Sequence, residues 1–117
     1  MKFYYEGALI RTSKSHHYTH AVLAPNGKAI SCSSSREGAE KVKQSEINNW
    51  GRIVENHRSA IKAIEAGQKY YSFKEGNRTT KAHVNGTLES YERALREAEK
   101  AVEIVRSYKV VELEARD

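Results

Sequence analysis

The chain has 117 residues, of which 38% are hydrophobic and 30% charged, enough for one domain with a modest core. No apolar run approaches the roughly 18 residues of a membrane span, and a single cysteine, Cys32, excludes both an internal disulfide and a multi-cysteine zinc site. Twenty Lys and Arg face 15 acids for a net charge of +5, and the only Asp is Asp117, which excludes Asp-based triads, EF-hand loops and a magnesium site built on Asp.

The first seven residues lack the apolar core of a signal peptide, which with the lone cysteine points to a cytoplasmic protein. Residues 2–5, 8–12, 18–23 and 28–32 are short runs rich in Tyr, Val, Ile, Leu and Thr and predict about four antiparallel strands. Glu6-Gly7 and Pro25-Asn26-Gly27 supply the turns between them, because Gly accepts positive φ and Pro fixes its own. The pattern changes at Ser33-Ser34-Ser35-Arg36-Glu37, where Ser34 and Glu37 have capping-box spacing and predict a helix start. An apolar seam, Ile47, Trp50, Val54, His57, Ile61 and Ile64, then advances in steps of 3, 4, 3, 4 and 3, with Ala39 and Val42 ahead of it, until Gly67 ends the helix. Asn48, Asn49 and Gly51 are poor helix formers and allow a bend mid-helix.

Thr87 is the predicted N-cap of a second helix, whose seam of Leu88, Tyr91, Leu95, Ala98, Val102 and Val105 repeats the same steps. Both seams run roughly 26 Å, so the helices are expected to pair antiparallel. Their length exceeds what a four-stranded sheet covers, and the surplus apolar surface predicts a homo-oligomer. Residues 108–113 alternate as a short C-terminal strand. The expected fold is α+β and one domain over 1–117: a β-sheet region at 1–33, a helical hairpin at 34–107 with an inserted loop at 68–86, and a strand at 108–113.

Charge is unevenly distributed. Residues 1–35 and 66–87 each carry +3, residues 36–65 carry +1, and residues 88–117 carry −2. The basic excess therefore lies outside the helices, which suggests a localised anion-binding surface as readily as plain solvation. In the inserted loop Tyr70, Tyr71 and Phe73 interleave with Lys69, Lys74, Arg78 and Lys81 and with the amides Asn77 and Asn85, a combination suited to a nucleotide. This loop is long for a helix connection and also reads as a small hairpin turning at Glu75-Gly76-Asn77. The amides of Asn85-Gly86-Thr87 and the second helix's positive end add an anion site, with Arg93 and Arg96 one turn on. A plain structural role fits as well: the aromatics cap the helical hairpin, the lysines stay in water, and Glu89 and Glu97 pair with Arg93.

Elsewhere the residues are less specific. His16, His17 and His20 have no evident third metal ligand, and no metal or cofactor is expected. His57 sits in a helix seam and reads as a hydrogen-bonded core or interface residue, His83 in the basic loop as a hydrogen-bond donor to a phosphate, and Cys32 as a small buried side chain. No Gly-rich phosphate loop, nucleophile elbow or carboxylate pair is present, so a binding protein is expected rather than an enzyme, although a His, Arg and Tyr set also suits metal-free phosphodiester cleavage.

The order of parts resembles the phage family of Thoeris anti-defence sponges, in the first type described. The likeness rests on a small basic sheet with Leu9-Ile10-Arg11-Thr12-Ser13-Lys14 and Tyr18-Thr19-His20-Ala21-Val22, then Cys32-Ser33-Ser34-Ser35 leading into a long helix, an aromatic loop and a second long helix. It implies an oligomer that sequesters cyclic ADP-ribose isomers made by bacterial TIR-domain enzymes, with some members also taking cyclic oligonucleotides, and without catalysis. The ligand-binding residues implied are a stacking aromatic, Phe73, an amide, Asn85, and the arginines Arg93 and Arg96, with Arg11 from the sheet; Arg52, Arg58 and Arg106 are equally available. Arg78 joins this set as a cation of the basic loop. The alternative is an inhibitor that blocks a protein or nucleic-acid surface, such as an RNA-guided nuclease, or a small RNA-binding protein.

Overall fold

The computed structural model describes residues 1–117 as an α+β protein with antiparallel strands. The strands are β1 (Lys2–Tyr5), β2 (Ala8–Thr12), β3 (His20–Leu23), β4 (Ala29–Ser33), β5 (Tyr70–Glu75), β6 (Arg78–His83), β7 (Lys109–Glu112) and β8 (Glu114–Arg116). The helices are α1 (Arg36–Glu65) and α2 (Leu88–Arg106). The chain divides into two compact units, residues 1–47 with 104–117, and residues 48–103.

The expected four-stranded N-terminal sheet plus one C-terminal strand is replaced by eight strands in three sheets, ordered β2-β1-β8, β4-β3-β7 and β5-β6. The physical reason lies at the C-terminal segment. It breaks at Leu113, whose N–H donates to the Thr19 carbonyl at 2.8 Å, so β7 pairs with β3 and β8 with β1. Each N-terminal hairpin thereby gains its third strand from the far end of the chain, and the two hairpins do not pair with each other.

The first hairpin turns at Glu6 and Gly7, with φ of 49° and 82°, which is the type I′ pattern whose twist matches the flanking strands. Glu6 pays for its Cβ in the left-handed region, a strain of about 1–2 kcal/mol. Glu6→Asn is therefore expected to stabilise the protein by about 0.5–1 kcal/mol, since Asn visits this region readily, and urea denaturation followed by circular dichroism measures it. The second hairpin closes through Ala24-Pro25-Asn26-Gly27, with Gly27 N–H donating to the Ala24 carbonyl at 2.8 Å and Lys28 N–H to Asn26 Oδ1 at 2.9 Å.

In this first unit the central strands carry the burial. Phe3 of β1 is fully buried, and in β3 Ala21 and Val22 are fully buried and Leu23 nearly so. Ala21, Leu23 and Val111 form a cluster with Tyr5, Ile10, Ala29, Cys32 and Leu113 packed around it.

Helix α1 starts one residue later than the capping-box spacing suggests. Ser35, not Ser34, is the N-cap: its Oγ accepts from Gly38 N–H at 3.0 Å, and Gly38 leaves room for it, since a Cβ there would meet that Oγ at 3.1 Å. The helix runs unbroken through Asn48, Asn49 and Gly51 and ends in a Schellman motif at Gly67, φ 71°, where Gln68 N–H bonds the Ala63 carbonyl at 2.8 Å and Gly67 N–H that of Ile64 at 3.0 Å. Thr87 caps α2 as expected, exchanging hydrogen bonds with Ser90: Ser90 N–H to Thr87 Oγ1 at 3.1 Å and Thr87 N–H to Ser90 Oγ at 3.0 Å. No helix is long and apolar enough to cross a membrane.

Candidate functional site

The inserted segment is the β5-β6 hairpin of the second unit. Glu75 and Arg78 close a two-residue turn with Gly76 at φ 61° and Asn77 outside the left-handed region, the type II′ pattern. Register and alternation then assign the side chains. Tyr71, Phe73 and Glu75 share one face with their partners Ala82, Thr80 and Arg78, while Tyr70, Ser72 and Lys74 share the other with His83, Lys81 and Thr79.

The Asn56 side chain ties the hairpin's backbone to α1. Asn56, 7% exposed, accepts Lys74 N–H on Oδ1 at 2.7 Å and donates from Nδ2 to the Lys74 carbonyl at 2.9 Å, acting as one rung of an added strand. Beside it Lys74 Nζ lies 2.8 Å from Glu55 Oε2, and this hydrogen bond and charge hold the Glu55 carboxyl below its usual range.

An aromatic group covers the first face. Tyr71 meets Phe73 and Tyr91 edge-on, with centroids 6.4 and 6.1 Å apart, and His57 lies 6.3 Å from Tyr91. The Tyr91 hydroxyl donates to Asn85 Oδ1 at 3.2 Å and accepts from Asn85 N–H at 3.4 Å. Burial, and then the neighbouring Tyr91, push the Tyr71 hydroxyl up. Burial also holds the His57 imidazole below its ordinary value of 6.5. The unfolded chain then binds a proton at His57 before the folded chain does, so this residue's contribution to stability is present above pH 6.5 and is lost as pH falls below it. The expected result is a Tm that drops between pH 7 and 5 by less in His57→Gln than in the parent, read by a thermal series in matched buffers.

The expected ligand residues separate into groups. Phe73 and Arg78 lie on the same hairpin face, and Asn85 is joined to that face through Tyr91 and Tyr71. Arg93 pairs with Glu89 at 3.4 Å, and Arg93 and Arg96 sit about 200° and 140° around α2 from Tyr91 at 100° per residue, so neither shares the Tyr91 side of the helix. Arg11 belongs to the first unit, with its guanidinium carbon 5.6 Å from the Tyr18 ring centre, and His16 stacks on the same ring at 5.7 Å. Burial raises the Cys32 thiol there, against a smaller opposing effect of Arg11. Of the amides expected to be free before α2, that of Asn85 donates to the Tyr91 hydroxyl and that of Thr87 to the Ser90 hydroxyl. No three His, Cys, Asp or Glu side chains gather as a metal site.

A cleft of about 710 Å³ opens between the last turns of α1 and β5. Ser59, Lys62, Ala63 and Ala66 form its helix wall, and residues 68–72 with Lys81 form the other. Lys62, Lys69 and Lys81 are exposed and make no ion pair, and Tyr70 is 53% exposed. Asn56 and Lys62 were invisible as site residues in the sequence, because a polar residue on a long helix has no distinguishing pattern. Asn56 stands with the buried Ala60 and Ala63 at steps of 4 and 3, on a small-residue side of α1 about 160° around from the Val54 seam site. No protein-family model, curated protein or solved structure matches the chain.

Proposed function

We propose that the protein binds a nucleotide anion on the hairpin of its second unit and holds it without turning it over, sequestering a cyclic nucleotide immune signal of the cyclic ADP-ribose isomer or cyclic oligonucleotide class and so countering an anti-phage defence. The observation that carries this reading is the pairing of an aromatic, Phe73, and a cation, Arg78, on one face of a hairpin that Asn56 fastens to α1. An aromatic face contributes about 1–3 kcal/mol per stacked base, and a charge-assisted bond to phosphate adds orientation. Unpaired Lys62, Lys69 and Lys81 add a positive field around the hairpin. In the same reading α1 and α2 pair antiparallel, which the His57–Tyr91 contact and the 3.8 Å Arg58–Glu99 ion pair support. Ile53 and Leu88, each 36% exposed, leave apolar surface for self-association.

Calorimetry against cyclic ADP-ribose isomers and cyclic di-AMP tests the reading. Binding with Kd below about 10 μM, near −7 kcal/mol, is expected for at least one ligand. Phe73→Ala should weaken it by about 5- to 150-fold, the equivalent of one lost stack, and the ligand should be recovered intact by chromatography. Absence of binding across the panel, or affinity unchanged in Phe73→Ala, sinks it.

A further inference from the structure

The hairpin's second edge is not used by that reading. In a two-residue hairpin the closing pair, Glu75 with Arg78, exchanges both backbone hydrogen bonds, so in β5 the odd-numbered residues bond to β6 and the even-numbered ones point their N–H and C=O away from it. Two contacts confirm the parity: the Lys69 carbonyl accepts from Val84 N–H at 2.8 Å, and both Lys74 groups turn outward to Asn56. Ser72 and Tyr70 therefore present their N–H and C=O on the outer edge, beside the cleft they line. They form two free rungs about 6.8 Å apart, the repeat of every second residue in a strand.

We propose that this edge takes an extended acidic peptide from a partner protein as an added strand, seated in the cleft between β5 and α1. Asn56 shows the geometry in miniature, since its carboxamide already occupies the next rung at Lys74. The wall opposite the free rungs carries the short side chains Ala63 and Ala66, which leave room for a backbone. A strand fills both rungs at their natural repeat, whereas a single base meets only one. Charge selects the occupant: Lys62, Lys69 and Lys81 border the cleft without acidic partners and match carboxylates on the incoming strand. A second copy's β5 brings its own unpaired Lys69 against them and is repelled.

Fluorescence polarisation with a fluorescein-labelled Glu-Val-Glu-Val-Glu-Val hexapeptide is the test, and it does not depend on nucleotide binding. Saturable binding is expected, with Lys62, Lys69 and Lys81 jointly changed to Ala weakening it and a Lys-Val hexapeptide of the same pattern failing to bind. Ser72→Pro deletes one outward N–H without touching the β5-β6 ladder and should weaken binding by about tenfold or more, while Ser72→Ala stays within about twofold. Amide-exchange protection at Phe73 and Thr80 reports that the hairpin persists. Two hexapeptides, N-methylated at the odd and at the even residues, decide the matter even where the proline variant loses its hairpin, because strand addition requires the N–H groups of one alternate set and one of the two peptides lacks them. The proposal is overturned by both N-methylated peptides binding as well as the parent, by an intact Ser72→Pro hairpin that binds normally, or by no peptide binding. It is equally overturned by oligothymidylate binding with the same lysine dependence in place of the peptide, or by dimerisation through this edge seen in sedimentation.

Discussion

Replacing Phe3 with Ala is expected to cost about 3–5 kcal/mol, the largest effect of any single truncation in the first unit. Phe3 has no exposed surface and sits on the central strand of β2-β1-β8, opposite Arg11 on one side and Ala115 on the other. Its ring meets Tyr18 and His17 edge-on, with centroids 5.4 and 5.8 Å away. Truncation removes the ring's burial, leaves a cavity, and takes the packing partner from the segment that links β2 to β3. A chain of this length has about 6–18 kcal/mol of stability in total at the usual 0.05–0.15 kcal/mol per residue, so the loss is a large share. Urea denaturation followed by circular dichroism should show the midpoint falling steeply for Phe3→Ala and far less for Phe3→Leu, which keeps most of the volume. A midpoint unchanged in Phe3→Ala contradicts the central place given to this ring.

How much of this was legible beforehand follows the range of each interaction. The turn at Glu6-Gly7, the Pro25-Asn26-Gly27 turn, the Gly67 helix end and the Thr87 cap are decided within four or five residues, and their chemistry is written in the residues themselves. Ser35 caps where the spacing pointed to Ser34, because neighbouring serines offer the same hydroxyl and a spacing rule places a helix end only to within a residue or two. Strand partnership is different. Phe3 pairs with Ala115 and Ala21 with Val111, and a period-two pattern tells which face of a strand is buried but not which edge finds which partner. The aromatic and basic character of the 68–86 segment was plain, and so was its possible turn. Its attachment to α1 was hidden, because Asn56 bonds to backbone, and backbone carries no sequence signal. The arginines of α2 show the same limit: proximity along the chain suggested Arg93 and Arg96, and the helical phase turns them away from Tyr91.

Replacing Asn56 is expected to loosen the hairpin, at a cost of about 1–3 kcal/mol for Asn56→Leu, since two part-buried hydrogen bonds to the Lys74 backbone are lost at about 0.5–1.5 kcal/mol each. The neighbouring Lys74–Glu55 pair cannot compensate, because both side chains are exposed and such pairs contribute little. Asn56→Asp sharpens the argument. An aspartate keeps an acceptor for Lys74 N–H but faces the Lys74 carbonyl with a second oxygen where Nδ2 donated, and it adds negative charge next to Glu55. The folded state therefore disfavours the ionised form and raises this carboxyl above its unfolded value of about 3.9. With a raised folded pKa the folded chain binds the proton first, so stability relative to the parent is lowest near neutral pH and recovers as pH falls, when the protonated acid again offers one donor and one acceptor to Lys74. Thermal denaturation of parent, Asn56→Leu and Asn56→Asp from pH 7 to 4 should show the Leu deficit flat with pH and the Asp deficit shrinking. Amide exchange at Lys74 should accelerate in both variants at pH 7. An Asp deficit that does not shrink would mean that the carboxamide holds Lys74 through packing, and the strand-like rung at the head of the cleft would lose its physical basis.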